Sequence, residues 1–178
     1  MSLTMSTFPI RTLLVNIARA DRDKVEVTKN TAPWIRKFWP ATSYPTGMAN
    51  QEPYCAAAVA YWVKQWLTDP EVLKAFQMSP ATAEAWRCKD ASVAGWSKWA
   101  KTKGLQLLPP RSILRRGDLV VYDYSHIEIV TDDDGTLTGP FIAIGANTNA
   151  SASRDGEGTF EKPRNRARVK HFIRLLPP

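Results

Sequence analysis

The chain has 178 residues, of which 44% are hydrophobic and 23% charged, with a formal net charge of +7 at pH 7. This length fits one domain with a sizeable core, and the composition is that of a soluble globular protein. No apolar run approaches the roughly 20 residues that a membrane-spanning helix needs, and two cysteines are too few for a disulfide framework or a four-ligand zinc site. We therefore expect no membrane insertion, no metal and no other cofactor.

The basic charge favours an anionic partner, which could be nucleic acid, an acidic membrane face or the polyanionic bacterial wall. The opening segment has only a short apolar stretch at residues 12–17 and lacks a small-residue cleavage site, so no signal peptide is predicted. Without an export signal, reduced thiols are expected. If the protein acts outside the cytoplasm, another route must carry it there.

The first half of the chain is predicted to be helical. A helix should begin near Ile10, since apolar residues recur at helical spacing after it. Residues 39–53, rich in Pro, Gly, Ser and Asn, predict a loop. The following segment, YCAAAVAYWVKQWL, lacks Gly and Pro and is apolar on nearly all sides. It predicts a buried helix with Cys55 at or just before its N-terminus.

Two further helices are expected at 71–87 and 92–103, the second closed by Gly104. Beyond the prolines at 109 and 110, the pattern changes to runs of β-branched and aromatic residues. They predict strands at 119–122, 126–130, 141–144 and 169–175, with a turn at 132–135 and a polar loop at 147–158. Helices followed by antiparallel strands are typical of an α+β fold, with the N-terminal helices packed on a C-terminal antiparallel sheet.

Cys55 is the candidate nucleophile, because a helix N-terminus and a neighbouring imidazole favour the reactive thiolate. Backbone N–H groups at the helix start could also stabilise the oxyanion of a tetrahedral intermediate. The alternative is a small buried apolar residue in an Ala-rich helix. Cys88 has no comparable setting and is predicted to be structural.

His126 is the candidate base, and the period of two places it on the same strand face as Glu128 and Val130. The alternative is a hydrogen-bonded structural histidine. The only other histidine, His171, lies in a basic segment and is expected at the surface. Asn147 could hold the imidazole if its strand lies beside that of His126, although an Asn in GANTNA is also typical of a turn.

Three segments of the chain resemble motifs of the CHAP family, the cysteine- and histidine-dependent amidohydrolases and peptidases of the papain-like superfamily. The segment EPYCAAAV is similar to the family's "PYCAAFV" nucleophile motif, and RGDLVV followed by SHIEIV is similar to "RGDLVVF…GHVGIV". The segments ANTN and SRDGEG, with a later Lys, resemble the "EGNTN…SREGDGV…K" tail of prophage-type members. The match covers residues 26–164, and the three blocks occur in the family's order.

The resemblance implies a single catalytic domain over residues 1–178 with a papain-like amidase fold, its core at about 26–175 and an N-terminal helical extension at 1–25. It implies that Cys55 attacks an amide carbonyl while His126 takes and returns the proton, the papain-type arrangement. Asn147 would orient His126 or polarise the carbonyl.

The chain departs from the family pattern at two positions. Where many members carry a Glu that orients the His, this chain has Gly145, and where the family usually has Gly, it has Glu128. The more economical arrangement has Asn147 alone orienting His126, as in papain-like triads. The alternative is that Glu128 supplies the missing carboxylate, although residues two apart on a strand lie roughly 6.5 Å apart.

Aromatic residues are frequent, with seven Trp in the chain. Trp62 with Trp66, and Trp96 with Trp99, are spaced as helix neighbours, which favours core packing. Tyr54 precedes the nucleophile, so it is expected at the rim of the cleft as a substrate-binding residue.

The expected function is hydrolysis of an amide bond in peptidoglycan, by an N-acetylmuramoyl-L-alanine amidase or a peptide endopeptidase working as a monomer. It would be made in the cytoplasm and act on the cell wall, as a phage lysis or tail-associated enzyme or as a secreted effector. One alternative is a wall-binding module with a degenerate site, which Gly145 suggests. The other is a nucleic-acid-binding protein. Only the net charge and the basic residues at 162–174 favour this alternative, so we do not expect a nucleic acid partner.

Overall fold

The computed structural model describes residues 8–148 and 156–176. Within these ranges the helices precede the sheet, as the sequence predicts. The α-helices are α1 (Phe8–Arg19), α2 (Cys55–Trp66), α3 (Pro70–Phe76), α4 (Pro80–Trp86) and α5 (Val93–Thr102), with short 3₁₀ turns at Ile35–Lys37 and Trp39–Ala41. Among the described helices, none is long and apolar enough to cross a membrane.

The single helix predicted at 71–87 is wrong, because two helices occupy this segment. Helix α3 ends at Phe76, and the next residue, Gln77, has a φ of 54°, which lies in the left-handed region. Helix α4 begins at Pro80, where the missing N–H costs nothing, and the side chain of Ser79 accepts a hydrogen bond from the backbone N–H of Thr82. A proline at this position cannot lie in the middle of a regular helix without breaking it.

The strands form one antiparallel sheet in the order β1-β6-β2-β3-β4-β5. They are β1 (Gln106–Leu108), β2 (Leu119–Tyr122), β3 (Ile127–Asp133), β4 (Phe141–Thr148), β5 (Gly158–Arg164) and β6 (Val169–Arg174). The four predicted strands are present, while β1 and β5 were not predicted. Strand β4 runs past its predicted end to Thr148, so Asn147 lies in a strand rather than in the expected loop. Residues 149–155 of that predicted loop lie outside the described residues, and its last residue, Gly158, begins β5.

The helices cover one face of the sheet and bury the larger part of the core. Alternate strand residues such as Leu119, Ile129 and Ile144 pack with α1, α2 and α5. Trp62 and Trp66 of α2 are buried here, as expected, and the indole N–H of Trp62 donates a hydrogen bond of 3.0 Å to buried Asp21. Helix α1 belongs to this core, since Leu14 and Val15 are completely buried.

The opposite face of the sheet carries a second, smaller cluster built by the intervening strand residues, among them Val120, Tyr122, Val130 and Phe172. Both faces are therefore apolar, which explains why β2 is buried at every position. An α+β fold with helices on an antiparallel sheet is thus confirmed.

Candidate active site

Cys55 is the first residue of α2 and lines an open cleft of about 390 Å³. The thiol is free, and the residue is only 4% exposed. The cleft is lined by the loop before α2, the segment that leads into α5 and the turn before β3, with Trp39, Tyr44, Glu52, Pro53, Asp90, Ser92 and Ser125 among its residues. The one thiol that reaches this cleft is therefore the predicted nucleophile.

The start of α2 is suited to hold negative charge beside Cys55. No side chain caps this helix terminus, and the first N–H groups of any α-helix lack partners within the helix. Together with the helix dipole, these donors place partial positive charge at the Cys55 end. This arrangement can stabilise an oxyanion that forms next to Cys55.

His126 is completely buried and directly precedes β3. It follows Ser125, whose φ of 61° is in the left-handed region. The backbone carbonyl of His126 accepts a hydrogen bond of 2.9 Å from the Tyr122 N–H. The imidazole lies nearly parallel to the rings of Tyr122 and Tyr124, with centroids 5.8 and 6.0 Å away. The tight turn and the aromatic rings fix the position of the imidazole.

The two ring nitrogens of His126 have different surroundings. Nε2 lies 3.1 Å from a carboxylate oxygen of Glu128, and because a carboxylate can only accept, Nε2 carries the hydrogen. Nδ1 is buried and lies outside hydrogen-bonding geometry with the described groups. It is therefore the nitrogen left to exchange a proton with a neighbouring thiol.

The His126 ring interacts with the Cys55 side chain, and this contact is looser than a regular hydrogen bond. Such pairs are often loose before substrate binds. Burial lowers the pKa of His126, but the interactions with Cys55 and Glu128 raise it, and the net result is a pKa of about 9. At neutral pH the imidazole is therefore protonated and can serve as a proton donor next to the thiol.

Glu128 is completely buried and holds its charge through three neighbours. Besides His126, its carboxylate accepts hydrogen bonds of 2.8 Å from the Tyr122 hydroxyl and from Nε of Arg164, and a second one from Nη2 of Arg164. Burial raises the pKa of Glu128, yet His126 and Arg164 together lower it to about 2. The carboxylate is thus ionised at any pH at which the protein would work.

Asn147 is buried in β4 with a φ of 55°, at a bulge in the pairing with β5. Its backbone interacts with the hydroxyl of Tyr54, which brings β4 close to the start of α2. However, Nε2 of His126 donates its hydrogen bond to Glu128. The arrangement therefore matches the alternative in which Glu128 supplies the carboxylate, rather than Asn147 acting alone.

The expected position of Tyr54 at the cleft rim was wrong. Its side chain is completely buried, stacked on Phe38 and packed edge-to-face with Trp34. Burial, together with the neighbouring Glu26, raises the pKa of its hydroxyl far above the usual value. The side chain of Tyr54 therefore anchors the start of α2 in the core and does not line the cleft.

The remaining candidates lie away from the pair. Cys88 is buried, and burial raises the pKa of its thiol to about 12, which fits the structural role predicted for it. His171 is half-buried rather than fully exposed, and its Nε2 lies 3.1 Å from the Ser97 hydroxyl. The described residues contain no group of three or more His, Cys, Asp or Glu side chains that could hold a metal ion.

Sequence reasoning missed Arg164 and Tyr122, which hold Glu128. Arg164 was counted only as one member of a basic segment. The available signal was Glu128 itself, because a carboxylate in the apolar strand IEIV needs a cationic partner if it is buried. The sequence could predict that such a partner exists, but not which of the many basic residues supplies it.

No family model matches the chain, and no curated protein matches it. The function of the chain is therefore inferred from the geometry of the site and from the order of the motifs.

Proposed function

We propose that the protein is a cysteine-dependent amidase or endopeptidase that hydrolyses an amide bond of peptidoglycan. One observation carries the proposal: Cys55, at an uncapped helix N-terminus in an open cleft, faces a buried imidazole that is held by a carboxylate. A nucleophile, a base and a group that orients the base are the parts that nucleophilic amide cleavage needs. A papain-like amidase fold, which the motifs imply, is part of this proposal.

The chemistry follows from these positions. The Cys55 thiolate attacks the carbonyl carbon, and the N–H groups at the start of α2 stabilise the oxyanion of the tetrahedral intermediate. His126 donates a proton to the nitrogen of the leaving amine, the C–N bond breaks, and an acyl-enzyme remains. A water molecule then attacks the thioester while His126 takes its proton. Release of the carboxylic acid product regenerates the thiolate and the protonated imidazole.

Peptidoglycan as the substrate rests on the resemblance of the three motifs to the CHAP family. The positive net charge of +7 would help a small monomeric enzyme to adhere to the anionic wall. Amidase and endopeptidase activities use the same chemistry, so both stay open. A phage lysis or tail-associated enzyme, or a secreted effector, remains the proposed setting.

The nucleic-acid alternative is weakened by the ion pairs of the C-terminal basic segment. Arg164, Arg166, Arg168 and Arg174 are each paired with a carboxylate, on Glu128, Asp133, Asp123 and Asp118 respectively. These four arginines are thus engaged in contacts within the protein. The degenerate wall-binding alternative depends on Gly145, and it is weakened because the carboxylate of Glu128 lies next to His126.

The test compares wild type with Cys55→Ala on purified peptidoglycan by zymography. Wild type should clear the gel and Cys55→Ala should not. Cys88→Ala is the matched control and should clear it like wild type, because Cys88 lies outside the cleft lining. Equal clearing by wild type and Cys55→Ala, or none by wild type, would reject the proposal, and in the second case retention on the insoluble wall would favour the binding module.

A further inference from the structure

The side chain of Glu128 occupies the space above Gly145 on the neighbouring strand. A Cβ atom added at Gly145 would lie 2.5 Å from Cγ and from Oε1 of Glu128, and 2.8 Å from Cδ. Contacts of this length are too short for any real side chain. The two residues therefore compete for one volume, and only one of the two strands can supply a side chain there.

The backbone does not require glycine at this position. Gly145 is absent from the described glycines with positive φ, which are Gly104, Gly117 and Gly135. It lies inside β4, where glycine weakens a strand unless a close approach demands it. Here the group that approaches closely is the Glu128 side chain. Glu128 can therefore occupy its observed position only because residue 145 has no side chain.

Arg164 fixes the carboxylate from a third strand. It reaches Glu128 from β5 with two guanidinium hydrogen bonds and is itself only 6% exposed. Tyr122 on β2 adds the third hydrogen bond. The Glu side chain has several rotatable bonds and could otherwise adopt more than one rotamer. These donors therefore select the rotamer that brings the carboxylate to Nε2 of His126.

Given the proposed function, we propose that Gly145 and Arg164 are positioning residues of the active site, which place the Glu128 carboxylate from β3 against His126. Gly145 acts by leaving space for the Glu128 side chain, and Arg164 acts by fixing the orientation of the Glu128 carboxylate. A short carboxylate side chain on β4 would reach the same volume. In aspartate, a carboxylate oxygen lies two bonds or ~2.4 Å from Cβ, which matches the 2.5 Å between the Cβ position at 145 and Oε1 of Glu128.

The test is a double-mutant cycle of Gly145→Ala and Glu128→Ala, read by kcat/KM on peptidoglycan and by the rate of Cys55 alkylation with iodoacetamide. Gly145→Ala should displace the carboxylate and lower kcat/KM by about 10²-fold, the cost of a misplaced catalytic group. In the Glu128→Ala background, Gly145→Ala should have little further effect. The proposal would be overturned if the two substitutions lowered the rates by independent factors that multiply in the double mutant, or if Gly145→Ala kept the wild-type rates.

A transfer variant, Glu128→Ala/Gly145→Asp, tests the shared volume directly. It should recover at least tenfold in kcat/KM over Glu128→Ala, while a folded transfer variant with no recovery would count against the proposal. Arg164→Gln should lower kcat with little change in KM, and Arg164→Lys should restore part of the loss. A folded Arg164→Gln variant with wild-type kcat would show that Arg164 positions nothing.

Alkylation needs no substrate, so the positioning proposal and the proposed function can fail separately. If wild type leaves peptidoglycan intact, the proposed function fails. The cycle is then decided by the alkylation rates alone, in which Gly145→Ala and Glu128→Ala should show non-additive effects. Additive effects would reject the positioning proposal in that case too.

Discussion

Replacing Glu128 with Gln removes one negative charge next to His126 and keeps the size of the side chain. In the wild type, the pKa of His126 is about 9 because interactions with Cys55 and Glu128 outweigh the lowering by burial. A charge of opposite sign at hydrogen-bonding distance shifts a pKa by about 1–3 pH units. Arg164 remains nearby in the variant without a counter-charge, and it opposes protonation of the imidazole as well. We therefore expect the pKa of His126 in Glu128→Gln to fall to between about 6 and 8.

The assay is an NMR titration of the histidine Cε1–H signals between pH 5 and 11. The chain has two histidines, so spectra of His171→Gln assign the signal of His126. Glu161→Gln is the matched control: Glu161 pairs with Arg19 and Arg22 and is not among the groups that shift His126. A pKa of His126 that stays near 9 in Glu128→Gln would refute the assignment of Glu128 as its partner.

Three further predictions concern reactivity, packing and pH. Iodoacetamide should label one thiol, Cys55, in the native protein and a second, Cys88, only after unfolding in urea; rapid labelling of both in the native state would contradict the burial of Cys88. Trp62→Phe removes the hydrogen bond to the buried carboxylate of Asp21 and should lower the free energy of unfolding by about 1–3 kcal/mol in urea titrations, whereas an unchanged midpoint would show that this bond contributes nothing. The pKa of His126 is higher in the folded state than its ordinary value of 6.5. The stability that protonated His126 contributes is therefore complete below about pH 6.5 and is lost as the pH rises through about 9. If the free energy of unfolding of wild type, relative to that of His126→Gln, increased over this range, the result would contradict the interaction of His126 with Glu128.

The sequence predicted the parts of the fold that local pattern determines. The Ala-rich segment after Cys55 forms a buried helix at its expected start, and β2 occupies its expected residues. Strands β1 and β5 were missed because their pairing, rather than their composition, makes them strands. Strand β1 is only three residues long, and β5 contains Pro163 and charged residues, which an edge strand tolerates.

The candidate pair of Cys55 and His126 was predictable from the sequence, but the contacts that hold His126 in place were not. Cys55 and His126 stand out by motif, whereas the contact between His126 and Glu128 depends on the left-handed turn at Ser125 and on the space above Gly145. Neither feature follows from strand periodicity, which places residues two apart too far from each other. Tyr54 was misplaced for a similar reason: its position beside the nucleophile in sequence says nothing about which side of the helix start its ring enters.

We propose above all that Cys55 cleaves an amide bond of the cell wall. Mass spectrometry of the products released from purified peptidoglycan tests it most directly. Wild type should release fragments with one new amine and one new carboxyl end, the position of which distinguishes amidase from endopeptidase, and Cys55→Ala should release none. Products from glycan cleavage, or the same amide products from Cys55→Ala, would contradict the account.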